Sequence, residues 1–362
     1  MMIRIRLLVL LARPAVIGLL LLFAGTGLAR AGRAEDPAAI AKVAAVIAAF
    51  LLFSVACNDL ADEEIDRVNL PGKRPLAAGL LGRREFALTG AVAGVVALGA
   101  SVTLGWRGVA VTAAGLAVSA GYSLRPVRLA DRGAVASLVL PACYVAVPYL
   151  LGVLAGGGRI GDPRTGALLA GLYLGFIGRI LLKDFRDVRG DVMFGKRTFL
   201  VRHGRGPTCV FSACSWMSGT ALILAATPRL TVTLAVAEAA GAAGALALLK
   251  ALSKERGARR DELLISATAI TGRGMIVMLL AHLSMTAAHW GVPGYTVVIA
   301  GLTAMTAGQA VDMVRNGPAV RHTVPDDLVA EAAEVPEAAE AANTPEAANT
   351  PEAAAAESVI SR

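Results

Sequence analysis

The chain has 362 residues, 56% of them hydrophobic and 17% charged, with a mean hydropathy of +0.63, a formal net charge of +8 and a pI near 9.7. That make-up excludes a soluble globular domain and describes a polytopic membrane protein. Its basic balance suits anionic lipid and phosphorylated small molecules as partners, and nothing in it points to nucleic acid.

The first apolar run covers 11–30. Arg4 and Arg6 before it and Ala29-Arg30-Ala31 after it look like the flanks of a cleavable signal peptide, but Arg13-Pro14 inside the run argues for a retained helix. The second run, 37–58, ends in Asn58-Asp59-Leu60-Ala61-Asp62-Glu63-Glu64-Ile65-Asp66. Asn58, Asp62 and Asp66 stand four residues apart, so on a helix they form one oxygen-lined stripe rising about 6 Å per step. Runs at 85–105, 108–123, which is short, and 133–156 follow. The sixth run, 165–183, leads into Lys183-Asp184-Phe185-Arg186-Asp187-Val188-Arg189-Gly190-Asp191, where Asp184, Asp187 and Asp191 obey i, i+3, i+7 spacing and make a second stripe. Runs at 207–226, 229–250, 262–288 and 293–314 complete the set, and Arg273 is expected to bend or split the ninth. Each run is long enough, or nearly so, to cross a hydrocarbon core of about 30 Å. The fold expected is an all-α polytopic bundle of nine or ten transmembrane helices.

Lys and Arg gather in short loops on the cytoplasmic side of a membrane. With the N-terminus inside, the inner segments hold 23 of them and the outer segments six: Arg30, Arg33, Arg107, Arg159, Arg164 and Arg229. The ratio puts both acidic stretches at the cytoplasmic face of a multi-pass cell-membrane protein. Cys57, Cys143, Cys209 and Cys214 show no CxxC spacing and read as small core residues. Trp106, Trp216 and Trp290 fit membrane interfaces, and the glycines within apolar runs fit close helix packing. Arg179, one turn before the second stripe, suits a substrate contact or a pairing with a stripe carboxylate, whereas Arg273 and His282 suit helix pairing or snorkelling more than a substrate role, and His203 suits a solvated loop. From 322 to 362 the chain turns to Ala, Glu and Pro with almost nothing to bury, so residues 1–321 are expected to form the membrane domain and the rest a disordered cytoplasmic tail.

Several carboxylates on one face repel each other unless a cation lies between them, and hard oxygen ligands suit Mg²⁺. Two such stripes with a basic rim suit a diphosphate, whose oxygens complete metal shells and whose charge meets Arg and Lys. At a membrane edge backed by an apolar bundle, the group carried by that diphosphate fits a long hydrocarbon such as a polyprenyl chain. Ionisation would yield an allylic cation in a dry cavity, open to attack by an electron-rich carbon or oxygen.

The same residues resemble the UbiA superfamily of intramembrane prenyltransferases. Asn58-Asp59-x-x-Asp62-x-x-x-Asp66, followed by Asn69, Pro71, Arg74-Pro75-Leu76 and Gly79, is similar to that family's first motif, and Lys183-Asp184-x-x-Asp187-x-x-Gly190-Asp191 with Gly195 and Thr198 to its second. Tyr122-Ser123-Leu124-Arg125-Pro126-Val127-Arg128 resembles the branch of chlorophyll synthases and archaeal ether-lipid prenyltransferases, and Arg13-Pro14 matches where the family's first helix begins. The resemblance covers about residues 10–315 and implies a central cavity capped by the two motif loops. It implies Mg²⁺ ligands at Asn58, Asp62 and Asp66 and at Asp184, Asp187 and Asp191. Asp62, Asp66, Asp187, Asp191 and Tyr122 would carry the chemistry; Arg67, Arg74, Lys183, Ser123 and Arg128 would hold the diphosphate. The partners implied are a polyprenyl diphosphate donor, a hydrophobic or aromatic acceptor and membrane lipid. The segment from Asn69 to Arg74 is one residue longer than the commonest form, and a tenth span exceeds the usual nine. Two other readings stand beside transfer: a terpene cyclase using the same ionisation, and a divalent-cation or phosphate transporter, whose site would instead be expected near the bilayer midplane.

Overall fold

A computed structural model of the chain describes residues 13–69, 74–193, 195, 197–254 and 257–317, without the side chains of residues 68, 69, 187, 189 and 190. The expected tail, Pro71 and the side chain of Asp187 lie outside the described residues. Within them every regular element is helical. Thirteen helices follow one another: α1 (Pro14–Arg30), α2 (Pro37–Asn69), α3 (Arg83–Ser101), α4 (Gly105–Ser123), α5 (Ala134–Pro141), α6 (Val147–Ala155), α7 (Pro163–Ile180), α8 (Asp184–Met193), α9 (Phe199–His203), α10 (Arg205–Ala226), α11 (Val232–Lys254), α12 (Ala258–Ala287) and α13 (Val292–Asn316).

Eight segments are long and apolar enough to span a bilayer, and α1 is a shorter apolar helix of the same kind. One of the eight, Arg83–Ser123, has 41 residues. Unbroken, it would reach about 60 Å, twice the hydrocarbon thickness. A 3₁₀ turn at Val102–Leu104 and Gly105 at φ +75° divide it into α3 and α4, the two runs expected there. α5 and α6 are likewise one apolar segment, Ala134–Ala155, joined by a π turn at Ala142–Ala146 between Pro141 and Pro148. The ninth run is not split. α12 continues through Arg273, which faces outward and leaves the core side of the helix intact.

The core lies in two apolar clusters that meet at α1. Leu20, Ala24 and Leu28 pack with α2, α3 and α6, while Phe23 packs with α7, α10, α11 and α12. Because lipid removes the usual drive to bury apolar surface, close backbone approach takes over. At the α1–α6 crossing a Cβ on Gly152 would lie 2.0 Å from the Ala24 carbonyl oxygen, and one on Gly27 would lie 2.2 Å from that of Tyr149. On the far side of the bundle from the acidic stretches, Asp162 caps α7 by accepting from the Thr165 backbone N–H at 2.9 Å, which holds its carboxyl below the usual carboxylate range. Arg30 at the end of α1 donates to the same carboxylate at 2.6 Å.

Two expectations are corrected by this packing. Trp216 is 3% exposed in the core and not at an interface, because α10 turns it toward α7 and α12. Cys57, Cys143 and Cys209 are buried as expected, but Cys214 lies on the outer face of α10. His282 is buried at helix–helix contact, with Nδ1 2.8 Å from Tyr295 Oη and Nε2 3.1 Å from the Pro228 carbonyl oxygen.

Candidate active site

The second apolar run does not end where its hydrophobicity ends. α2 continues unbroken for three more turns, so Asn58, Asp62 and Asp66 lie on one helical face. Cations from three separate segments converge on that face. Arg13, at the start of α1, donates to Asp59, which is 2% exposed. Arg74, after α2, lies 3.9 Å from Asp59 and 3.6 Å from Asp66, at ion-pair range but beyond hydrogen-bond length. Arg128, from the Tyr122–Arg128 segment, donates to Asp62 at 2.9 Å and to the Ala61 carbonyl at 3.0 Å, and pairs with Asp131 at 2.6 Å. Arg67 stands apart: its side chain is 58% exposed and donates to Glu63 at 2.7 Å.

The second stretch is re-aimed by a 3₁₀ turn, Leu181–Lys183, between α7 and α8. α8 carries Asp184, Asp187 and Asp191 at helical spacing and packs against α2, so the two acidic helices meet at one end of the bundle. Asp184 and Asp191 are buried at 4% and 2% exposure. The scaffold behind them is specific. Arg186 donates to Ser266 of α12 at 2.8 Å, and Arg205 lies 5.0 Å from the Phe185 ring while bonding Asp261 and the Leu252 carbonyl.

Beside the first acidic stripe lies a small pocket lined by Arg13, Ser54, Asn58, Tyr122, Ser123 and Tyr144 among others. Tyr122 and Ser123 are each 5% exposed, and Tyr144 lies within electrostatic reach of Arg13, Lys183 and Tyr122. The structure thus brings Asn58, Tyr122 and Ser123 to one cavity, with Lys183 within electrostatic reach of Tyr144 in its wall. Tyr144 also stacks on Phe176, with ring centres 5.6 Å apart, and so walls this pocket from a second one. That second cavity holds Arg179 and Glu238 among Phe23, Phe176 and Trp216. Arg179 sits 5.6 Å from the Phe176 ring and pairs with no stripe carboxylate among the described side chains, and Glu238 is 1% exposed with Oε1 lacking a hydrogen bond.

Sequence reasoning missed three of these groups. Asp59 was inside the quoted motif, but its i+1 offset from the stripe gave it no role until Arg13 and Arg74 were seen to meet it. Glu238 had a readable signal, as a lone acid in an apolar run. Tyr144 had none, since an aromatic in an apolar segment is ordinary core.

The donor set suits a hard divalent cation. Asp66 has a buried oxygen, Oδ2, without a hydrogen bond, lies within electrostatic reach of Asp59 and Asp62, and belongs to a stripe that offers only oxygen ligands. Among the described residues no three His, Cys, Asp or Glu side chains stand close enough to share one ion. The arginines now balancing Asp59, Asp62 and Asp66 hold the acids in the meantime.

Comparison with known proteins adds an independent line. The sequence model of the UbiA prenyltransferase family matches residues 18–267. The chain is 30% identical over 148 residues to the "Bacteriochlorophyll synthase 34 kDa chain" of Chloroflexus aurantiacus, covering 41% of this chain and 47% of that protein. It is 35% identical over 167 residues to the "Digeranylgeranylglyceryl phosphate synthase" of Methanoculleus marisnigri, covering 44% and 55%. The chain therefore spans about half the length of the curated relatives it matches. A solved structure described as "Structural and mechanistic insights into the biosynthesis of Digeranylgeranylglyceryl phosphate synthase in membranes" shares the fold, with a TM-score of 0.59, 17% identity, and coverage of 77% of this chain and 98% of that one.

Proposed function

The chain belongs to the UbiA prenyltransferase family, and from that premise we propose that it transfers a polyprenyl group from a prenyl diphosphate to a hydrophobic, aromatic or lipid acceptor within the membrane, with Mg²⁺ as cofactor. The observation that carries this reading is the meeting of α2 and α8, two acid-bearing helices from distant parts of the chain, beside a pocket lined by Arg13, Asn58, Tyr122, Ser123 and Tyr144. Asn58, Asp62 and Asp66 would hold one ion and Asp184, Asp187 and Asp191 a second. When bound, Mg²⁺ supplies electrostatic stabilisation of the charge growing on the departing diphosphate.

The chain's own residues do the rest. Arg74 and Lys183 bind and orient the diphosphate through charge-assisted hydrogen bonds, and Arg128 positions Asp62 by bonding it directly. As the carbon–oxygen bond breaks, its electron pair leaves with the diphosphate. Tyr122 and Tyr144 line the pocket that would hold the resulting allylic cation and offer it aromatic rings, and the apolar residues beside them exclude water that would trap it. An acceptor electron pair then forms the new bond and the acceptor gives up a proton. The relatives' names span a bacteriochlorophyll and a glyceryl phosphate product, which supports an acceptor held by shape at the membrane edge. The excess of Lys and Arg in the loops that carry the acids supports a site opening on the cytoplasmic face of the cell membrane.

The test is incubation of the full chain with Mg²⁺ and labelled prenyl diphosphates of several lengths. Prenylated product and released diphosphate are expected. Asp62→Ala or Asp187→Ala should each cut turnover roughly a hundredfold or more, since several kcal/mol of charge stabilisation leaves with a metal ligand. Near-wild-type rates in both variants refute the metal assignment. Labelled phosphate crossing sealed vesicles without any prenyl product would favour a transporter instead.

A further inference from the structure

On the other side of α12 from the active pocket, α11, α12 and α13 enclose a groove of about 1050 Å³. Small residues usually bring transmembrane helices together. They do so between α12 and α13, where a Cβ on Gly274 would lie 2.2 Å from Thr306 Oγ1. On α11 they do so at Gly241, where a Cβ would lie 2.8 Å from Met275 Cγ of α12, but not one turn later: a Cβ on Gly244 would meet nothing within 4 Å, although Gly244 lines the groove. The groove follows α11 from Ala237 to Ala251, a rise of about 21 Å, which is somewhat more than one leaflet of a core of about 30 Å. Its walls are apolar apart from Thr271, Thr303 and Thr306, and its two charged members, Arg260 and Arg315, stand together at one end. Arg260 donates to the Val314 carbonyl at 3.0 Å, and no acidic side chain lines the groove among the described residues.

We propose that this groove is a binding site for one anionic phospholipid, with an acyl chain lying between α11 and α13 and the phosphate between Arg260 and Arg315. Charge selects the occupant. Two guanidinium groups with no carboxylate among the described lining residues suit a bare phosphodiester; a metal-bound diphosphate needs acids, and a choline headgroup would bring its cation against two others. The site also bears on catalysis through packing. Leu264 lines the groove and belongs to the same apolar cluster as Leu182 and Phe185, which flank Lys183 and Asp184, while Leu248, Ala251 and Val314 line the groove and pack against that cluster. A chain seated in the groove thus supports the second acidic helix from behind.

Native mass spectrometry of the delipidated full chain, titrated with phosphatidylglycerol or phosphatidylcholine of matched acyl chains, tests this. One phosphatidylglycerol per chain should bind about tenfold to thirtyfold more tightly than phosphatidylcholine, the ratio two surface arginines supply. The double variant R260Q/R315Q should erase that preference. Gly244→Leu, which fills the groove and replaces glycine by a better helix former, should abolish binding of the first lipid while leaving the melting temperature in detergent unchanged or higher. Equal affinity for the two lipids, an undiminished preference in R260Q/R315Q, or wild-type binding in Gly244→Leu would each overturn the site.

Discussion

Arg67 and Arg74 look interchangeable on paper, two cations flanking one acidic motif, yet the structure gives them opposite situations. Arg67 is 58% exposed and already donates to Glu63 at 2.7 Å. An exposed i,i+4 pair of that kind contributes only a few tenths of a kcal/mol. Arg74 is 22% exposed and stands between Asp59 and Asp66 at 3.9 and 3.6 Å, with Nε lacking a hydrogen bond. Its charge is balanced but its donors are not fully committed, so it can turn to a phosphate without first breaking a strong bond. Arg74→Ala should therefore raise the KM for prenyl diphosphate roughly tenfold to a hundredfold, the range of one charge-assisted hydrogen bond. Arg67→Ala should stay within about twofold of wild type. Steady-state kinetics on both variants decides it: equal losses would mean that exposure and pairing do not sort the cations. Arg128 is a third case, since it holds Asp62 at 2.9 Å and its replacement would free a carboxylate that the proposed chemistry needs fixed.

At the scale of elements, what held the sequence reading together was period, and what escaped it was approach. Ten apolar runs each met a helix because helical backbone is the only open-chain solution in lipid, and the acidic stripes stayed helical because α2 and α8 keep their acids at three- and four-residue spacing. The breaks at Val102–Leu104 and Ala142–Ala146 fall where a run exceeds the bilayer or meets Pro141 and Pro148. Which helices touch was not legible, since nothing in the 11–30 run marks α1 as the helix at which the two core clusters meet. Nor was the pairing of Asp59 with Arg13, 46 residues away in sequence. The α1–α6 crossing gives the sharpest consequence. A methyl at Gly152 would overlap the Ala24 carbonyl oxygen, so Gly152→Ala must push the helices apart, at a cost of about 1–3 kcal/mol for overpacking. Gly18, on α1 with nothing within 4 Å of its Cβ position, is the control. Gly152→Ala should lower the melting temperature in detergent, whereas Gly18→Ala should leave it unchanged or raise it, since Ala is the better helix former; a fall of equal size in both would show that contact at the crossing does not set the effect.

At the scale of the whole molecule, the acids and the core are separate structures sharing one end of a bundle. The two large clusters are built mainly from apolar side chains of α1–α4, the turn at Ala142–Ala146, α6, α7 and α10–α13, and none of the six proposed metal ligands belongs to either. Described carboxylates of the first stripe, Asp62 and Asp66, together with Asp59 beside it, already have Arg13, Arg74 or Arg128 as counter-charge. Stability should therefore depend little on any bound cation, unlike a small metal domain whose binding energy is its folding energy. Chelation by EDTA should abolish prenyl transfer, while added Mg²⁺ should restore it. Over the same titration, intrinsic tryptophan fluorescence should barely move, because Trp216 is buried against Gly272 and Arg179 in the core rather than beside the acids. A cooperative loss of structure on chelation would contradict the separation of site from core. Unchanged transfer in EDTA would instead remove the cation from the mechanism and leave the arginines alone to carry the departing charge.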